Sequence, residues 1–147
     1  MGTQQILLIV LSVIIVGVAI AVGITMFNNN AYNQSRSAVA AELSSYASQA
    51  VQWYKTPVAQ GGRGDVALVS GQQGTVAAFI GFTGGSLSTE SGTYQVTTTG
   101  DNVVTMHGLG KHAKGTNFAL GTTVINFPAG IIVTTMGEYA ALPTIGG

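Results

Sequence analysis

An α+β fold is predicted, in which one long N-terminal α-helix, hydrophobic and then amphipathic, packs on a small C-terminal antiparallel β-sheet or sandwich. Three observations predict it. The first thirty-five residues carry no charge, and residues 6–27 are almost purely aliphatic. A helical spacing of apolar residues continues past that run, through a stretch rich in Asn, Ser, Gln and Ala. Beyond residue 56 the chain turns to short β-branched runs and holds 18 of its 21 glycines.

Residues 1–27 form the hydrophobic part of the rod. At about 1.5 Å per residue, positions 6–27 span roughly 33 Å, enough to cross the ~30 Å hydrocarbon core of a bilayer. The run contains fourteen Ile, Leu and Val residues. Each gains about 1.5–3 kcal/mol on full burial, so this surface must face lipid or other copies of itself. Ile6, Leu7, Leu8, Leu11, Ile14, Ile15, Val18 and Val22 are the expected inter-helix packing positions. Gly17 with Ala21, and Ala19 with Gly23, are small residues four apart, which let helix backbones approach closely. Gly17 and Gly23 also weaken the helix by about 1 kcal/mol each relative to Ala, giving it places to bend. Gln4 and Gln5 form the polar end of the rod, at a membrane–water boundary or against a neighbour. Ser12 is expected to bond back to the carbonyl one turn earlier. No Lys or Arg precedes the run, and it is too long for the apolar region of a signal peptide. Met1 is expected to be a mature N-terminus left by removal of a short basic leader.

Residues 28–56 continue the helix with one apolar face. Tyr32, Val39, Leu43, Tyr46, Ala50 and Trp53 recur at spacings of three, four or seven, the signature of a helix lying on a core. Val39, Leu43, Tyr46, Ala50 and Trp53 are the residues expected to meet the sheet. Thr56-Pro57 ends the helix, because a residue before proline is pushed out of the α region. A helix over residues 2–55 would be roughly 80 Å long, the length of a filament core or a membrane-to-domain stalk.

Residues 57–147 are read as a Gly-rich β domain with no second helix. Strands are expected at 75–82, 93–99, 102–107, 117–120, 122–127 and 131–136. Gly100-Asp101 is expected to be a two-residue hairpin loop, and Phe127-Pro128-Ala129-Gly130 a turn between two further strands. Gly61-Gly62-Arg63-Gly64 reads as a flexible connection from rod to sheet.

Composition narrows the function classes. Only 7% of residues are charged and the net charge is zero, against about 25% charged in ordinary soluble domains. Such a surface does little to keep copies apart. Five scattered basic residues make no phosphate-tracking stripe, so no nucleic acid is expected as partner. The absence of cysteine removes disulfides and Cys-ligated metal. No nucleophile elbow or close carboxylate pair is legible, so neither catalysis nor a cofactor is expected. His107 and His112 are read as surface-loop residues rather than metal ligands. Residues 108–115 are read as a mobile basic loop, suited to a neighbouring subunit or an anionic surface. Arg63-Gly64-Asp65 matches a receptor-binding tripeptide and is read as a flexible, solvated turn. Asn33-Gln34-Ser35 is a glycosylation sequon placed on a helix.

Met1 before an uncharged aliphatic helix, the amphipathic continuation and the C-terminal β domain together resemble a type IV pilin-like subunit, a plan shared with archaellins and archaeal pilins. The resemblance implies leader removal and methylation at Met1, and anchorage in the inner membrane before assembly. It further implies partnership with an assembly machinery and packing of helices into an open helical filament serving adhesion or motility. Gln4, Gln5, Ile6, Leu7, Leu8, Leu11, Ile14, Ile15, Gly17, Val18, Ala21, Val22 and Gly23 would then build the filament core. Two departures from the bacterial pattern stand out. Gln5 occupies the position where Glu usually pairs with a neighbour's terminal amine, and no proline lies near residue 22. A single-pass membrane-anchored binding domain and a minor pseudopilin of a secretion system share the same layout.

Overall fold

The computed structural model describes residues 2–140, and all of their side chains except those of Thr98 and Thr99. One α-helix, α1, runs unbroken from Gly2 to Lys55. Five antiparallel strands follow in the order they occur in the chain: β1 (Ser86–Ser88), β2 (Gly92–Gly100), β3 (Val103–Lys114), β4 (Asn117–Asn126) and β5 (Ile131–Tyr139). They form a single meander, so of the two expected forms it is the sheet, not the sandwich, that is found.

The helix crosses the inner face of the sheet, chiefly over β3 and β4. Strand alternation sends Val104, Met106, Ala119 and Ile125 to that face, where they are buried against Val39, Leu43, Ala47 and Ala50 of α1. All five residues expected to join helix to sheet are in this core, with Tyr46 partly buried and ring-to-edge against both Phe82 and Tyr94. Tyr54 closes the far end by stacking on Phe127, with ring centroids 4.4 Å apart.

Glycine makes this contact close. Gly108 and Gly121 are cross-strand partners on β3 and β4, and Gly110 continues the row. A Cβ at Gly108 would sit 2.6 Å from the Tyr94 ring and 3.0 Å from Val39. One at Gly110 would strike Ser35, and one at Gly121 would strike Leu43. The three form a lane into which α1 settles. The reading of residues 108–115 as a mobile loop is therefore corrected: through Lys114 they are β3. The separate strands expected at 117–120 and 122–127 are one strand, β4, continuous across Gly121.

Three further corrections concern local structure. Residues 75–82 were expected as a strand, but Gln73–Ile80 is a second helix, α2. Val76 and Ala77 are buried and Ile80 packs against the core, which is helical rather than alternating spacing. Gly81 ends it in the left-handed conformation (φ 93°), with the Gly81 and Phe82 amides donating to Ala78 and Ala77 carbonyls, a Schellman motif. The β2–β3 turn is centred on Asp101-Asn102, one residue later than expected, with Asn102 at φ 59°. Asn102 also accepts the Leu68 amide through Oδ1 at 2.8 Å, tying the preceding loop to the sheet. Residues 61–65 are not a free connection. Their amides donate to carbonyls of Trp53, Tyr54, Thr56, Pro57 and Val58 around the helix end. The turn at 127–130 is found as expected, closed by the Gly130 amide on Asn126.

Candidate assembly interface

From Gly2 to Asn30 every residue of α1 is exposed. Each Ile, Leu and Val between Ile6 and Ile24 shows 51–70% of its surface. All thirteen positions expected to form a filament core, Gln4 and Gln5 among them, lie on this exposed stretch. Met1 lies outside the described residues. The segment is long and apolar enough to cross a membrane.

The two hydroxyls inside the aliphatic run already have acceptors. Ser12 Oγ donates to the Leu8 carbonyl at 2.7 Å and Thr25 Oγ1 to the Ala21 carbonyl at 3.0 Å. Neither hydroxyl needs water, so lipid or another helix covers this span without orphaning a donor.

The small residues fall on two sides. At 3.6 residues per turn, Gly17/Ala21 and Ala19/Gly23 are separated by about 200° around the axis. The rod can thus admit a close neighbour on opposite faces at once. A Cβ at Gly17 or Gly23 would meet nothing within 4 Å, so no contact inside the chain requires glycine there.

Polar contacts hold the rod's other half to the sheet. The Glu42 carboxylate accepts from Thr89 Oγ1 at 3.1 Å and from Ser91 Oγ, pinning the β1–β2 turn to α1. Tyr32 donates to Glu138 at 3.2 Å. Burial, reinforced by Glu138, pushes the Tyr32 phenol above its usual pKa. Burial and then Glu42 do the same for Tyr46 and Tyr94.

The motifs with other readings are not assembled into a chemical site. His107 is half-buried on the outer sheet face, its Nδ1 3.2 Å from Thr122 Oγ1, and burial lowers its pKa. His112 is exposed at the base of the domain. Among the described residues no three His, Asp or Glu side chains converge. Both charged side chains of Arg63-Gly64-Asp65 are engaged at the surface: Arg63 donates to Gln72 Oε1 at 2.7 Å and Val66 O at 3.2 Å, and the exposed Asp65 pairs with Lys55 at 3.5 Å. The tripeptide read as a flexible, solvated turn is solvated at Gly64 and Asp65 but held by these bonds. In the sequon, Ser35 is buried on the sheet side of the helix while Asn33 is exposed.

One feature escaped sequence reasoning. An open groove of about 500 Å³ lies at the base of the β domain, where the apolar run ends at Phe27. Asn30, Gln34 and Ser35 of α1 form one wall, with Glu90 and His112 opposite. These residues are too far apart in the chain for any motif to have joined them. Comparison with models of protein families, with curated proteins and with solved structures finds no match for this chain.

Proposed function

We propose that this chain is the major structural subunit of a type IV pilus-like helical filament on the cell surface. One observation carries the reading: a single continuous helix whose C-terminal half is fixed to a sheet and whose N-terminal half, uncharged and almost wholly aliphatic from Ile6 to Phe27, is exposed throughout. Before assembly that half rests in the membrane, and in the filament it is enclosed by copies of itself. Contacts that repeat head-to-tail do not close on themselves, which is the condition for an open fibre. The two small-residue sides of the rod support a bundle of several helices rather than a pair. Leader removal and methylation at Met1, delivery by an assembly machinery, and a role in adhesion or motility follow from the same reading.

Electron microscopy of material sheared from producing cells, with mass spectrometry of the fibres, tests it. Fibres composed mainly of this chain are expected. Lone detergent-bound particles and bare cells would overturn the proposal in favour of a membrane-anchored binding domain. Fibres in which this chain is a trace component would point to a minor pseudopilin.

A further inference from the structure

The chain has five carboxylates, and four are engaged. Glu42 holds Thr89 and Ser91, Asp65 holds Lys55, Asp101 accepts the Ser70 amide, and Glu138 accepts from Tyr32. Glu90 is exposed, makes no hydrogen bond or ion pair among the described residues, and faces the groove at the domain base. On the opposite wall, Ser35 Oγ is buried without a hydrogen-bond partner in a residue only 5% exposed. Asn30 and Gln34 add exposed amides to the same wall. The groove thus combines apolar lining from Phe27, Ala31 and Ala38 with a few polar groups, carries the Glu90 carboxylate beside His112, and opens directly onto the apolar rod.

The amino-terminal turn of α1 is its complement. The first amides of a helix have no carbonyl one turn earlier and concentrate the positive end of the helix dipole. No acidic residue stands in that turn to answer them; Thr3, Gln4 and Gln5 are neutral. We propose that the groove receives the amino-terminal turn of a second copy, with Glu90 supplying the negative charge that Gln5 does not. This rests on the filament reading and names a contact within it. Parallel rods staggered by roughly 40–45 Å bring residues 2–5 of one copy level with Asn30 and Gln34 of the next. The Gln4 and Gln5 amides then face the exposed Asn30 and Gln34 amides, while Glu90 faces the helix end.

Because the chain has no cysteine, disulfide trapping reads the contact cleanly. Fibres of the Thr3→Cys/Asn30→Cys chain are expected to give a ladder of covalent oligomers on oxidation, since every copy both inserts and receives. The Thr3→Cys/Ser48→Cys chain, whose second cysteine lies roughly 27 Å further along the helix, is expected to give none. Glu90→Gln should lower fibre yield about five-fold at equal subunit level, the scale of a carboxylate at a helix N-terminus. Adding Gln5→Glu to that variant should restore the yield by returning a carboxylate to the same turn. Fibres that yield no Thr3–Asn30 ladder, or Glu90→Gln fibres in normal yield, overturn this contact and leave the filament standing. A native chain that makes no fibres overturns both.

Discussion

The two halves of α1 share one backbone and differ in everything they touch. From Tyr32 to Tyr54 the apolar side chains are buried against β2, β3, β4 and α2. From Ile6 to Phe27 comparable side chains are bare. Glycine shows the same contrast. At Gly110 and Gly121 α1 occupies the space of a Cβ, and at Gly108 the Tyr94 ring and Val39 do, whereas Gly17 and Gly23 have open space around them. A residue whose small size answers to nothing inside its own chain is free to answer to something outside it. The fold and the proposed assembly thus divide one helix between them, and substitutions in the two halves should report on different properties.

The largest expected separation comes from truncating a leucine in each half. Leu43→Ala opens a cavity under Gly121 and should cost the β domain about 2–5 kcal/mol. Leu11→Ala should change domain stability by less than about 0.5 kcal/mol while reducing fibre yield. Denaturant unfolding of the full chain in detergent, followed through Trp53, measures the first, and fibre counts measure the second. Equal losses of domain stability would erase the distinction between the halves.

Glycine substitutions sharpen the same contrast at smaller scale. Gly108→Ala forces a methyl against the Tyr94 ring and should destabilise the domain by about 1–3 kcal/mol. Gly17→Ala meets no atom, and as a helix interior change it should stabilise α1 by up to about 1 kcal/mol. Its cost should appear only between copies, as shorter or fewer fibres. Thermal melts beside fibre-length distributions separate the two outcomes.

What was legible follows the same division. The whole span of α1 could be read because hydropathy marks one half, a helical period marks the other, and Pro57 stops both. Val39, Leu43, Ala50 and Trp53 could be assigned to the sheet because a residue pointing at a core must be apolar. The glycine lane was not legible. Glycine at alternate positions, Gly108 and Gly110, looks like loop composition until a helix is known to lie above it. α2 was hidden by Thr75, Val76, Phe79 and Ile80, which favour strands by propensity and are helical here because the short segment packs on α1 and β2. The groove at Glu90 was invisible because no local pattern joins residues 30, 90 and 112.

Alkali should act on one half alone. Tyr32, Tyr46 and Tyr94 have phenol pKa values raised above 10.0, burial being the largest cause for each. A raised folded pKa means the unfolded chain loses those protons first. The stabilisation is complete below pH about 10 and drains away as pH climbs through the folded values. Near-ultraviolet dichroism of the aromatic core should fade above pH about 10 while the helical signal of residues 6–27 in detergent persists. Phenol ionisation at the ordinary pKa with the core intact would mean that Tyr94 is not sealed from solvent.

The smallest effect is expected where the buried half of the rod ends. Lys55 and Asp65 are 3.5 Å apart with both side chains more than half exposed, so their attraction is largely screened and worth about 0.2–1 kcal/mol. Asp65 holds φ 58° and donates its amide to the Tyr54 carbonyl, a conformation Asn tolerates well. Asp65→Asn keeps that backbone bond and removes only the charge. Its loss should be under about 1 kcal/mol and should shrink further in high salt. A loss above about 2 kcal/mol, insensitive to salt, would show that the C-terminal half is clamped at its tip rather than held along its buried face.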